Sequence, residues 1–159
     1  MNKSSNELFS VSEIVSCEDS IDLSEPETKA KIQHEVHRMF GLLRFTPNEN
    51  GEFIAICEPD FNILSELKLY FTARFGDTPW SIIDIKRGLL LRRLPGEDAK
   101  ISACEESVHD QTGSDEWEEL WKHYHRTINN EQRNNPGLQR QFMPKRYWKH
   151  LPEKCENEK

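Results

Sequence analysis

No apolar run in this 159-residue chain approaches the ~18–20 residues that a membrane-spanning helix needs. The N-terminus lacks a basic stretch followed by an apolar one, so no secretory signal is expected. Cysteine is sparse: Cys17, Cys57, Cys104 and Cys155 stand far apart, none within two to four residues of another. That spacing excludes a local zinc or iron–sulfur motif and argues against a disulfide framework, which makes a reducing interior the natural setting. A P-loop, a dinucleotide fingerprint and a Ser/His/Asp or Cys/His nucleophile arrangement are also missing. The chain is therefore expected to be soluble and cytoplasmic, with no cofactor.

Apolar residues make up 35% of the chain and charged ones 31%, and the polar excess has a location. Residues 1–23 form a serine-rich acidic arm, and through Pro26 one lysine, Lys3, stands against six acids. Such a segment cannot bury enough apolar surface to offset its ordering entropy, so it reads as disordered. Residues 96–113 show no apolar periodicity and read as a long polar loop; residues 153–159 read as a disordered tail. What remains is one domain over residues 24–152.

Within it, Ser24 precedes Pro26 and Glu27, a helix-start signal, and Ile32, Val36, Met39 and Phe40 then fall on one stripe up to Gly41. Strands are expected over Leu42–Thr46 and Glu52–Glu58, joined by the turn Pro47–Gly51. Asp60 is placed to cap a helix over Phe61–Phe75 whose inward face carries Leu64, Leu67 and Phe71, closed by Gly76. Trp80–Lys86 and Leu89–Arg93 read as a second hairpin, with Gly88 supplying a positive φ at the turn. A third helix follows Ser114 or Asp115 and carries Trp117, Leu120, Trp121, Tyr124 and Ile128 on one stripe. A short helical piece is expected between Pro144 and Pro152. The order α-β-β-α-β-β-α plus a C-terminal helical tail implies an α+β fold, a four-stranded antiparallel sheet with helices on one face.

Two patterns suggest chemistry. In His34-Glu35-Val36-His37 the histidines are three apart, whereas a zinc-protease helix needs them four apart to turn both imidazoles one way, so the metal reading fails. His123 and His125 point to different sides of their helix, and His150 stands alone; no metal site is expected. Glu58 and Asp60 flank Pro59 at a strand-to-helix junction, where paired carboxylates are able to hold magnesium or act as acid and base. The structural account is simpler, with Asp60 a helix cap and Glu58 paired with a cation such as Arg44.

The strongest signal is charge segregation. From Leu120 to Lys154 eight basic residues face two acids, a net of about +6, while the whole chain carries −7. Lysines and arginines neutralise phosphates, and tyrosine or tryptophan can stack on bases. Arg133, Arg140, Lys145, Arg146 and Lys149 are the expected backbone contacts to DNA or RNA, with Tyr147 a stacking candidate and Arg44 and Arg87 secondary. Tyr147 and Trp148 read equally well as anchors to the core. The acidic stretch Glu97–Glu119, nine acids and one lysine, could neutralise the tail within the molecule.

The stretches Glu35–Phe45, Glu58–Leu64, Phe71–Phe75 with Pro79-Trp80, Asp84–Gly88, Leu120–Tyr124 and the tail through Met143-Pro144-Lys145-Arg146-Tyr147-Trp148-Lys149 to Pro152 resemble a bacterial family of unresolved biochemistry assigned to DNA metabolism. The resemblance covers roughly residues 30–152. Members lie next to a radical-SAM protein assigned to DNA modification or repair, and a similar domain is found fused to uracil-DNA glycosylase-like domains. It implies a DNA-related context and brings no catalytic residues. The expected function is a non-catalytic nucleic-acid-binding component working with an enzymatic partner. The alternatives are a protein-binding adaptor for a radical-SAM or glycosylase-type partner, and a magnesium-dependent nucleic-acid-processing enzyme using Glu58 and Asp60.

Overall fold

The computed structural model describes residues 26–104 and 116–154. The acidic arm, most of the polar loop and residues 155–159 lie outside them. Helix α1 spans Pro26–Leu42, with Pro26 in its first turn, where a missing N–H costs nothing. Its buried stripe is Glu35 and Met39, flanked by half-buried Ile32, Val36 and Phe40. The helix runs through Gly41 and Leu42, so the first expected strand is reduced to the two residues of β1, Thr46–Pro47. Asn48 then folds the chain back, its Oδ1 accepting from the N–H groups of Asn50 and Glu52, both at 2.9 Å.

Strand β2 (Phe53–Cys57), helix α2 (Leu64–Phe75), β3 (Trp80–Asp84) and β4 (Leu89–Arg93) follow, and then β5 (Lys100–Ala103). The sheet has five strands in the order β1-β2-β3-β4-β5. Three pairs are antiparallel, but β2 and β3 run parallel, with Ala55 beside Ile82 and Ile56 beside Ile83. This corrects the four-stranded antiparallel expectation at two points. A parallel neighbour needs a crossover of a dozen or more residues, and α2 with its flanking loops supplies one. The added strand, β5, lies inside the stretch read as loop. It is an edge strand with three of its four residues exposed and Ile101 its one large apolar side chain, which carries little apolar signal.

All five residues of β3 are buried, as a central strand covered on both faces requires. On one face Trp80, Ile82, Leu89, Leu91, Ala55 and Cys57 meet Met39 of α1 and Leu64, Leu67 and Phe71 of α2. The opposite face carries a smaller cluster, Ile54, Ile83 and Leu90. Asp60 is not the cap of α2: the helix begins at Leu64, and Ile63 precedes it without a side-chain cap. The loop Glu58–Ile63 is therefore longer than expected, and it becomes the centre of the site.

Helix α3 (Glu116–Ile128) leads to a 3-10 turn, Glu131–Arg133, then to α4, Pro136–Phe142, and a 3-10 helix, Lys145–His150. Asn135 caps α4 by accepting from the Leu138 N–H at 3.0 Å, with Pro136 next in line. Among the described residues no helix is long and apolar enough to cross a membrane.

Candidate functional site

The loop that leaves β2 is gripped from three directions. Glu35 of α1, 2% exposed, accepts from the Asp60 N–H at 2.7 Å and from the Phe61 N–H at 2.9 Å. Arg87, in the β3–β4 turn, donates to the Pro59 carbonyl at 3.1 Å and to the Asp60 carbonyl at 2.6 Å. The C-terminal 3-10 helix supplies the third grip: Arg146 pairs with the Asp60 carboxylate and Lys149 with that of Glu58. A loop with unsatisfied backbone groups would be costly to bury, and these donors and acceptors remove that cost.

Behind the loop sits a buried polar layer. Tyr147, 3% exposed, donates its hydroxyl to Glu35 Oε1 at 2.6 Å and accepts from Arg146 Nη2 at 2.7 Å. Burial first, then the hydrogen bond and charge of Glu35, push the phenol well above its usual range, so Tyr147 stays a neutral donor. Asp84 is fully buried and accepts from the N–H groups of Lys86 and Arg87 and from Arg87 Nη1, at 3.0, 3.3 and 2.9 Å. Burial raises its carboxyl above the usual range while the Arg87 contacts work against that rise. The Cys57 thiol is pushed far up by burial and by the nearby Asp84 and Glu35 charges.

Several cations expected on a nucleic-acid surface are thus engaged within the fold. Arg87 and Arg146 hold the loop. Arg44 pairs with Glu153 at 2.7 Å, with its guanidinium carbon 5.7 Å from the Trp121 ring centroid. Glu58 pairs with Lys149 and lies 3.6 Å from His150, not beside Arg44 as expected. Tyr147 lies in the core cluster, its ring turned away from solvent. Arg133, Arg140, Lys145 and Lys149 are exposed. Arg140 donates from Nε to the Pro136 carbonyl at 3.0 Å, and Lys145 lies 5.6 Å from the Trp148 ring centroid. Among the described residues no group of three or more His, Cys, Asp or Glu side chains is placed to share a metal ion.

One wall of this arrangement is open. Between α1 and the clamped loop lies a cleft of about 430 Å³ lined by Ala30, Lys31, His34, Glu35, Arg38, Asp60, Phe61 and Arg146. It adjoins the loop after β2, at the carboxyl end of the parallel strand pair, where α/β sheets commonly place ligands. In the sequence His34 stands out only in the rejected zinc pattern, and Lys31 and Arg38 do not stand out at all. The one available signal was their i, i+3, i+7 spacing, which puts them on one side of α1.

A small α+β domain built on a mixed five-stranded sheet, with a loop locked by its own C-terminal segment, is the class that fold and site define. The chain belongs to DUF4130, described as a domain of unknown function, whose family model matches residues 12–153. No curated protein and no solved structure gives a significant match.

Proposed function

We propose that this domain binds the sugar–phosphate backbone of DNA or RNA as a non-catalytic component of a DNA-metabolism system, alongside an enzymatic partner of radical-SAM or uracil-DNA glycosylase type. The observation that carries the reading is the exposure of Arg133, Arg140 and Lys145 along one C-terminal segment of net positive charge. Lys149 is exposed beside them, although Glu58 holds its ammonium. Exposed cations that are not committed to a buried partner are free to exchange condensed counterions for phosphates. Arg44, Arg87 and Tyr147 serve this reading as scaffold.

The test is fluorescence anisotropy with labelled single-stranded, duplex and uracil-containing DNA across a salt series. The expected result is binding that weakens linearly in log–log form with salt, at a slope reduced by about two to three in Arg133→Glu/Arg140→Glu/Lys145→Glu. Unchanged affinity in a folded triple variant would end this reading.

A second reading, the protein-binding adaptor, is favoured by α3. Leu120, Trp121, Tyr124 and Ile128 are 56%, 39%, 52% and 58% exposed, an apolar stripe at helical spacing facing solvent. Such faces commonly mark protein contacts. Leu120→Glu/Tyr124→Glu is expected to abolish partner capture and spare DNA affinity under this reading. The magnesium-enzyme alternative draws less support, because Glu58 and Asp60 are each held by a basic residue of the 3-10 helix.

A further inference from the structure

The cleft beside α1 has cations where folding does not call for them. Lys31, His34 and Arg38 have no hydrogen-bond or ion-pair partner among the described residues. Glu35 lies one turn from both Lys31 and Arg38, yet its oxygens are occupied by the Asp60 and Phe61 N–H groups and by Tyr147. In a chain with 28 acids against 21 lysines and arginines, acceptors are plentiful, but among the described residues none pairs with these side chains. Across the cleft stands Arg146, shared with Asp60.

We infer that this cleft binds a terminal phosphate of a nucleotide, either a strand end or a free mononucleotide, with Lys31, His34, Arg38 and Arg146 as its donors. The inference rests on the nucleic-acid reading and extends it to one subsite. Three permanent cations, Lys31, Arg38 and Arg146, outnumber the two lining carboxylates, Asp60 and Glu35, and a terminal phosphate offers these donors three acceptor oxygens where a diester offers two. The volume lies within the roughly 300–1,000 Å³ usual for small-ligand sites. The half-buried Phe61 ring supplies an apolar wall for the attached sugar or base. Asp60 and the Tyr147 hydroxyl hold Arg146 Nη1 and Nη2, so the guanidinium is fixed in place and offers a ligand its remaining N–H groups.

The experiment compares otherwise identical labelled single strands bearing a 5′-phosphate, a 3′-phosphate or hydroxyl ends, with the full chain. A phosphorylated end is expected to bind about tenfold more tightly, equivalent to ~1.4 kcal/mol. Lys31→Ala/Arg38→Ala is expected to erase that difference while leaving the hydroxyl-ended strand within about twofold, since the tail cations are untouched. Lys31→Glu alone, at an exposed position, should act in the same direction. Equal affinity for all ends, with binding intact, overturns the cleft assignment and leaves the backbone reading standing. If no strand binds, the backbone reading falls, and calorimetric titration with adenosine monophosphate decides the cleft separately. Heat that disappears in the double variant supports a free-nucleotide site, and no heat in the parent chain overturns it.

Discussion

The Tyr147 hydroxyl and the Glu35 carboxylate meet at 2.6 Å across 112 residues of sequence, inside the core. The contact joins the first described helix to the last helical segment, and the Asp60 and Phe61 amides complete the shell of Glu35. Removing one partner of a buried charged hydrogen bond leaves the other unsatisfied, at about 1–3 kcal/mol. Tyr147→Phe is expected to lower stability by that amount in urea unfolding, and Glu35→Ala by more, since it also abandons two backbone N–H groups. Equal stability of Tyr147→Phe and the parent would show the contact to be energetically idle.

Arg87 is the second structural bolt. It neutralises buried Asp84 and holds the Pro59 and Asp60 carbonyls at once. Arg87→Ala should cost about 3–5 kcal/mol, the usual penalty for stranding a buried charge. Arg87→Lys should recover little, because an ammonium does not reproduce the planar fork that reaches two carbonyls and a carboxylate. Thermal melts of the two variants give the comparison.

Acid should weaken the fold in two steps. Burial holds the His150 imidazole below its usual value near 6.5, with Glu58 opposing and Lys149 adding to the shift. The unfolded chain therefore takes up this proton first, and stability declines as pH falls below about 6.5 toward the lower folded value. Burial alone would raise Glu153, but the hydrogen bonds from Arg44 and Trp121 hold it below the usual carboxylate range. Its contribution is present above about 4.5 and is lost as pH falls through the folded value. His150→Gln should flatten the stability profile between pH 7 and 5.5; an unaltered slope there would refute the assignment.

Cys57 is 3% exposed and donates weakly to the Ile83 carbonyl at 3.5 Å. A thiol held in its protonated form does not attack alkylating reagents. With iodoacetamide at pH 8 and mass-spectrometric mapping, Cys57 is expected to label only after denaturant is added, whereas half-buried Cys104 labels in the native protein.

Much of the core was legible because apolar spacing records burial directly. Met39, Leu64, Leu67 and Phe71 were placed by period alone, and Gly88, at φ 62°, marks its turn. Strand direction was not legible, since the sequence of a buried strand such as β3 does not distinguish a parallel from an antiparallel neighbour. Strand β5 escaped because Lys100 and Ser102 face solvent at an edge. Helix α4 is not legible although Asn135-Pro136 is a cap followed by an N1 proline, because its seven residues bury no side chain and are too few to show a helical period. Site residues were harder still: charge pattern picks out Arg146 and Arg87 but does not reveal that both face inward to the 58–61 loop.

The locking of that loop by Arg146, Tyr147 and Lys149 has a consequence for biosynthesis. Translation delivers α1, the sheet and the loop before any of the three residues that close over them. Until they emerge from the ribosome, Glu35 lacks its phenol, and Asp60 and Glu58 lack the cations that pair with them. A nascent chain halted before Pro144 would therefore carry an unfinished pocket rim, leaving it open to chaperones and proteases. The cleft beside α1 is complete only once Arg146, the most C-terminal residue of its lining, has been made.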